Sequence, residues 1–256
     1  MTMLAHSRPL FCRVIGLHAA TPDIRIVRLA IVSGGPFRFA AGQYARVTFL
    51  AQSPRDYSLA NSPMEPVLEF HIRHRADGGA GHFVARTLRI GDHVWVEGPF
   101  GEAWLRADHT GPILCIAGGS GLGPMKSIVE TALAVQPERR VDLYFGGRNE
   151  RDIYLEDRFQ ALARRHPNFR YHVLLSATRP ATARRRGTVV EGVAADFAVP
   201  LAGGASPLQG AKVYMAGPPA MVEAAIVALR DLGVPPADIH ADPFHSAAAA
   251  VPAASA

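Results

Sequence analysis

Ile113-Leu114-Cys115-Ile116-Ala117-Gly118-Gly119-Ser120-Gly121-Leu122-Gly123-Pro124 is a short apolar run that ends abruptly in a glycine-rich turn. A helical pattern follows from about Met125. That order reads as a buried strand, a tight turn and a helix N-terminus. Such a turn suits phosphate, because glycines let the backbone approach closely and the first free N–H groups of the helix face the anion. A purely structural strand–helix turn fits the same residues.

The common phosphate and catalytic turns do not match. A Walker A loop needs glycine directly before its Lys-Ser pair, and Met125 precedes Lys126-Ser127. A nucleophile elbow needs glycine two residues after its serine, where Leu122 stands. The Rossmann fingerprint needs its third glycine where Pro124 stands, and an acidic residue after the next strand, which instead runs into Gly146-Gly147-Arg148.

Outward from this stretch, the two halves of the chain differ in rhythm. Downstream, apolar runs at 113–117, 141–145, 171–175 and 212–216 alternate with helical patterns at 125–135, 155–166 and 220–232. That punctuation predicts βαβ units and a parallel sheet. Upstream, short alternating runs at 12–17, 24–31, 44–50, 67–73 and 93–97 are broken by Gly34-Gly35-Pro36, Ser62-Pro63 and Asp77-Gly78-Gly79. Period-two strands at this spacing predict an antiparallel sandwich or barrel. The expected boundary falls near 106–111. After Phe244 an alanine-rich tail without periodicity is expected to be disordered.

Composition narrows the function classes. The 256 residues suffice for two ordinary domains with real cores. Cys12 and Cys115 are the only cysteines, too few for an iron–sulfur cluster or a cysteine zinc site. There is no signal-peptide core and no segment of membrane-spanning length, so the expectation is a soluble, cytoplasmic monomer. The net charge of +5 invites a nucleic-acid reading. However, the arginines are scattered and aromatic residues are not interleaved with them as a stacking platform requires. Lys126 and Lys212 are the only lysines, so the arginines reflect a bias of the whole chain. The expectation is no nucleic acid and no membrane, with a basic surface that steers an acidic protein partner.

One more stretch carries chemistry. Arg55-Asp56-Tyr57-Ser58 places a cation and an aromatic ring at i and i+2 of an extended segment, which share a face, with a hydroxyl beside them. A flavin uses all three, stacking on Tyr57 and pairing its phosphate with Arg55. An incidental Arg-Tyr pair on a strand edge fits the same residues.

These stretches together resemble the ferredoxin–NADP reductase-like superfamily. Arg55-Asp56-Tyr57-Ser58 resembles its flavin signature, and Gly118 to Pro124 its pyridine-nucleotide loop. Tyr214-Met215-Ala216-Gly217-Pro218-Pro219-Ala220-Met221 resembles its third motif, and Gly98-Pro99-Phe100-Gly101 the end of its flavin domain. The motifs come in the family's order and the resemblance covers nearly all of 10–245. In flavour it is similar to reductase components of bacterial aromatic-ring oxygenases and to the CDP-6-deoxyglucoseen reductase type, including the ending Ile239-His240-Ala241-Asp242-Pro243-Phe244.

The resemblance implies an antiparallel Greek-key β-barrel that binds FAD (8–107), an α/β parallel-sheet NAD(P)-binding domain (110–245) and a tail (246–256). It implies that Tyr57 stacks on the isoalloxazine, Arg55 neutralises the pyrophosphate and Ser58 lies near the hydride-accepting N5, which makes Tyr57 and Ser58 the candidate catalytic pair. His71, Ile72 and Arg73 correspond to the strand whose backbone holds the flavin. Gly78, Gly79, Ala80 and Gly81 correspond to a phosphate turn that usually carries a hydroxyl residue at the position of Gly81. Gly119, Ser120 and Gly121 would hold the NAD(P)H pyrophosphate, Gly217 and Pro218 would flank the nicotinamide, and Phe244 is a candidate lid.

Ala216 stands where the family has a cysteine, and no cysteine-rich ferredoxin domain is present in these 256 residues. The implied activity is an NAD(P)H-dependent flavin oxidoreductase that passes electrons to a separate ferredoxin or oxygenase component. A flavin or small-molecule reductase and a non-catalytic flavin or nucleotide sensor are the alternatives. Arg148 and Arg184-Arg185-Arg186 are candidates for a 2′-phosphate, although the balance favours NADH. The spacing of His71, His74 and His82 on an extended segment does not converge on a metal.

Overall fold

The computed structural model describes residues 9–74, 78–177, 184–199, 204 and 206–245. The expected tail at 246–256 and residue 8 lie outside the described residues.

Strands β1 (Leu10–Ala19), β2 (Ile24–Ser33), β3 (Tyr44–Phe49), β4 (Arg55–Ser58), β5 (Val67–Arg73) and β6 (His93–Phe100) form one antiparallel sheet. Their order, β4-β3-β6-β1-β2-β5, is the non-sequential path of a Greek key. Along β3, Ala45, Val47 and Phe49 are buried and the residues between them are not, which is the alternation read in the sequence. The sheet curls until its two edges meet: Leu59 bridges Phe70, and the Ala60 N–H donates to the Glu69 carbonyl. A barrel closed this way leaves little unpaired edge and encloses Val27, Leu29, Val47, Phe70 and Ile72.

Helix α1 (Gly79–Arg86) is an element the sequence pattern did not predict. Gly79 and Gly81 are poor helix formers, yet Ala80, Phe83 and Val84 pack against the barrel core and hold the helix in place.

Beyond the barrel, β7 (Ile113–Gly118), β8 (Val141–Gly147), β9 (Phe169–Leu175), β10 (Arg185–Arg186), β11 (Lys212–Gly217) and β12 (Ile239–Pro243) run parallel in the order β10-β9-β8-β7-β11-β12. Every residue of β7 is buried because helices cover both faces, which is why it reads as a continuous apolar run. Cys115 and Ala117 face the cluster with α2 (Leu122–Val135) and α3 (Glu156–Arg165). Leu114 and Ile116 face the cluster with α4 (Val189–Phe197) and α5 (Pro219–Asp231).

Helix α2 begins at Leu122, earlier than its sequence pattern suggests, directly after a 3-10 turn at Gly119–Gly121. Pro124 falls in its first turn, where a missing N–H costs no intrahelical bond. The two halves share core: Ile24, Ile26, Ala41 and Leu105 join the cluster built on α2 and β7.

Candidate active site

Strand β4 leaves Arg55 exposed and Tyr57 half-buried, with Ser58 at its end. Among the described residues the Arg55 guanidinium bonds only its neighbour's carbonyl, Pro54 O, at 3.4 Å, so it remains available to an anion. Tyr57 packs edge-on to Phe49 at 6.2 Å, and burial pushes its phenol up to about 12, so the ring is neutral. Close by in sequence to β5, Gly78 and Gly79 adopt φ of +94° and +76°, and among the described residues nothing lies within 4 Å of where a Cβ would project from either. Among the described residues no side chain caps α1, so its first N–H groups have no side-chain acceptor there. An available guanidinium, an aromatic face and an uncapped helix start are the donor set that a phosphate-bearing flavin requires, and these residues fit it.

Within β5, His71 and Ile72 are buried and Arg73 is half-buried. Ala80 is buried inside α1. At Gly81 the space is closed to any side chain. A Cβ there would lie 2.6 Å from the Arg73 carbonyl, so the position has no room for the hydroxyl residue usual in the family. Its glycine answers a helix–strand contact.

On the nucleotide side, Gly119 has φ +58°, Ser120 is 8% exposed and Gly121 is buried. Among the described residues no side chain caps this turn or α2, so its N–H groups have no side-chain acceptor and can meet an anion. A side chain at Gly119 would run into the Arg73 guanidinium, which reaches from the barrel and pairs through Nε with Asp23 at 3.1 Å. The loop thus has both free donors and a nearby cation, as a dinucleotide pyrophosphate requires. Gly121 is set differently. Any Cβ there would collide with the backbone of Ala216, so this glycine lets α2 pack against β11. Gly217 has φ +147°, and a Cβ would lie 2.9 Å from the Gly118 carbonyl. Pro218 follows it at the start of α5, and Phe244 N–H donates to Gly217 O at 2.8 Å. The Phe244 side chain packs against the core cluster of α2 and β7.

Three groups were not legible as site residues in the sequence. Asp242, on β12, accepts a hydrogen bond from Ser58 Oγ at 3.1 Å, so the end of the chain's last strand meets the end of β4. Burial raises the Asp242 carboxyl above its ordinary range, against the Ser58 hydrogen bond that lowers it. Lys126, 3% exposed, turns away from the loop. Its Nζ donates to Ala60 O at 2.9 Å and pairs with Glu69 at 3.2 Å and Glu130 at 3.3 Å. Tyr154, between β8 and α3, places its hydroxyl 3.0 Å from His71 Nδ1 and 3.3 Å from Gly119 O. Ser127, next to Lys126 on α2, donates from Oγ to Asn61 O at 2.6 Å. Barrel and parallel sheet are therefore joined by a polar seam running from β5 to the nucleotide loop.

Of the arginines considered for a 2′-phosphate, Arg148, Arg184 and Arg185 are engaged elsewhere, while Arg186 is exposed on β10. Arg184 makes two 2.8 Å bonds to the Glu156 carboxylate and pairs with Glu150 at 2.7 Å. Arg185 pairs with Asp196, and Arg148 contacts Asp152 at 3.4 Å. Among the described residues, no helix is long and apolar enough to cross a membrane.

Comparison with known proteins agrees with this geometry. The family "Oxidoreductase FAD-binding domain" matches residues 12–104, and "Oxidoreductase NAD-binding domain" matches residues 115–226. The chain is 40% identical over 232 residues to the ferredoxin–NAD(P)+ reductase component of a naphthalene 1,2-dioxygenase/salicylate 5-hydroxylase system from Ralstonia. The match covers 91% of this chain and 68% of that protein. Among solved structures, a cytochrome P450 reductase from Amycolatopsis aligns with TM-score 0.84 and 35% identity, over 93% of this chain and 70% of that one. A ferredoxin–NADP+ reductase from Neisseria gonorrhoeae with bound FAD and NADP shares the fold, with TM-score 0.78 and 18% identity over 93% of this chain and 99% of that one. A barrel with a phosphate-ready helix start and a parallel sheet with a dinucleotide loop, matched in order by an FAD-binding and an NAD-binding family, make this chain a member of the ferredoxin–NADP reductase-like flavin oxidoreductases, moving electrons from NAD(P)H through FAD.

Proposed function

We infer that hydride passes in the cleft where β4, β5 and the Gly119–Gly121 turn converge, and that the electrons leave to a separate protein acceptor. The observation that carries the reading is the Ser58–Asp242 hydrogen bond, which ties the end of the flavin strand to β12 beside Gly217. Bound FAD supplies a two-electron acceptor that releases electrons singly or in pairs.

The chain's own residues bind and orient. Arg55 and the N–H groups at Gly78, Gly79 and Ala80 neutralise the flavin phosphates. Tyr57 offers a flat neutral face, braced edge-on by Phe49. The β5 backbone from His71 to Arg73 lines the ring. Ser58 keeps its hydroxyl proton directed at Asp242, which leaves the oxygen free to face the reacting flavin edge. Gly119 and Ser120 receive the dinucleotide pyrophosphate with the α2 dipole behind them, and Arg73 adds a cation from the barrel side. Gly217 and Pro218 flank the nicotinamide. NADH is the preferred donor in this reading, since Glu156, Glu150 and Asp196 already neutralise Arg184 and Arg185.

The acceptor is an acidic partner such as a small [2Fe–2S] ferredoxin or an oxygenase component, supported by the net charge of +5 and by the oxygenase-system relative. The test has two stages. Absorbance of the purified protein before and after NADH, and separately NADPH, reads flavin content and donor choice. NADH-dependent reduction of an added acidic ferredoxin should then slow steeply with ionic strength, because salt screens such attraction within about 8–10 Å. Reduction of neutral flavin analogues should change little. Equal salt dependence for both acceptors would leave a small-molecule reductase.

A further inference from the structure

We propose that Tyr154 is a positioning residue for dinucleotide binding: its hydroxyl fixes the Gly119 peptide so that the Ser120 N–H is presented to the NAD(P)H pyrophosphate. The proposal rests on the assignment of Gly119–Gly121 as the nucleotide turn.

The Tyr154 ring is 5% exposed and packs edge-on to Phe145 at 5.7 Å and His71 at 5.4 Å, so the phenol has no freedom to swing away. Burial keeps that phenol protonated. It also favours neutral His71, while Glu69 stays ionised and faces His71 Nε2 at 3.3 Å. Nε2 then donates to Glu69, and Nδ1 is left as an acceptor. The single hydroxyl proton of Tyr154 therefore lies between two acceptors, His71 Nδ1 and Gly119 O. One oxygen thus ties β5 to the turn.

The consequence at the turn follows from the peptide bond. Gly119 takes a left-handed φ of +58°, and its carbonyl also receives the Leu122 N–H. The Gly119 carbonyl and the Ser120 N–H belong to one planar trans unit and point in opposite directions. Anchoring the oxygen inward therefore aims the N–H outward, towards the anion site. A phenylalanine would fill the same space with the same ring contacts, so packing alone does not explain the hydroxyl, whose burial is unfavourable without partners. Tyr171 offers the contrast: its buried hydroxyl has no partner among the described residues.

The experiment compares Tyr154→Phe, Tyr171→Phe and Ser120→Asp by flavin absorbance and NADH steady-state kinetics with a small acceptor. Tyr154→Phe should retain full flavin and raise the KM for NADH about 3–10-fold, with kcat within about twofold, as expected for loss of one hydrogen bond that orients a binding group. Tyr171→Phe should leave KM unchanged. Ser120→Asp places a like charge against the pyrophosphate at a helix start that tolerates carboxylates, and should raise KM more than about tenfold.

An unchanged KM in Tyr154→Phe beside a raised KM in Ser120→Asp overturns the positioning role and keeps the turn assignment. Unchanged KM in both overturns the turn assignment, and the proposal with it. An equal rise in Tyr171→Phe shows general loosening and also overturns it. If Tyr154→Phe proves less stable, thermal midpoints with and without NAD+ serve instead: the shift NAD+ confers should shrink in Tyr154→Phe and persist in Tyr171→Phe.

Discussion

Replacing Lys126 with Met tests whether the polar seam holds the two halves together. The Lys126 ammonium has three protons and three acceptors, buried Ala60 O on the barrel, buried Glu69 on β5 and half-buried Glu130 on its own helix. Met fills the same volume without charge. Ala60 O loses its Lys126 bond, while Glu69 keeps His71 and Arg28, and Glu130 keeps Arg158. Removing one partner of a buried ion pair costs about 3–5 kcal/mol, and the remaining cations place this case near the lower end, about 3 kcal/mol. For a chain of this length that lowers Tm by about 6–12 °C.

Acid behaviour gives a second handle on the same residue. Burial alone would raise Glu69, but the His71 hydrogen bond and the Lys126 charge outweigh it and bring the carboxyl from 4.5 to about 2. A carboxylate depressed in the folded state contributes stability above its unfolded value and loses it as pH falls towards the folded one. The whole shift corresponds to about 3 kcal/mol, of which Lys126 supplies a share. Wild-type protein should thus lose this contribution between pH 4.5 and about 2, whereas Lys126→Met, whose folded Glu69 lies closer to its unfolded value, should lose less stability over a narrower acid window. Calorimetry across pH on Lys126→Met, Glu69→Gln and the double variant reads both effects. Glu69→Gln should cost less once Lys126 has been replaced, with a coupling of about 1 kcal/mol or more. A Tm loss below about 3 °C, or strictly additive losses, would refute the seam as a stabilising element.

Arg55→Ala should weaken flavin binding about 10–100-fold, because a phosphate loses a charge-assisted partner; full flavin after purification would show that β4 does not hold the cofactor. Asp242→Asn should flatten the acid limb of flavin reduction by NADH. Burial sets the Asp242 carboxyl above its usual range, so wild-type protein gains a proton there as pH falls, and Ser58 loses its ionised acceptor. A raised acid disfavours the ionised folded form, so the Asn variant should be at least as stable at neutral pH, checked by Tm; an unchanged acid limb would remove Asp242 from the reaction. Gly81→Ser, which restores the hydroxyl usual at that place, should lower stability by about 1–3 kcal/mol without tightening flavin binding, since its Cβ meets the Arg73 carbonyl. Denaturation and flavin titration check both parts.

What could be read from sequence alone was local and periodic. Alternation at 44–49 and 67–73 marked barrel strands because one face of each meets the core. The unbroken apolar run before Gly118 marked a strand covered on both sides. The Gly118–Pro124 turn was visible because glycine and proline restrict backbone geometry within a few residues. Local signals failed where packing overrides propensity. The glycines at 78, 79 and 81 read as a turn, but Phe83 and Val84 dock on the barrel and extend it into α1. Helix α4 was not predicted from the sequence; the structure shows it capped by Thr188 and Glu191 and held by Val189, Val193 and Phe197 against the sheet.

The pairs that build the site left no local trace. Ser58 meets Asp242 across 184 residues, His71 meets Tyr154 across 83 and Lys126 meets Ala60 across 66. A hydrogen bond between distant residues imposes no period and no spacing on the chain. It depends on where the closed barrel and the parallel sheet come together, and the shared core of Ile24, Ile26, Ala41 and Leu105 sets that position. Sequence therefore determined the two architectures and the glycine turn that starts α2. Tertiary structure alone decided which side chains face each other across the seam, because only the packed domains bring them within reach.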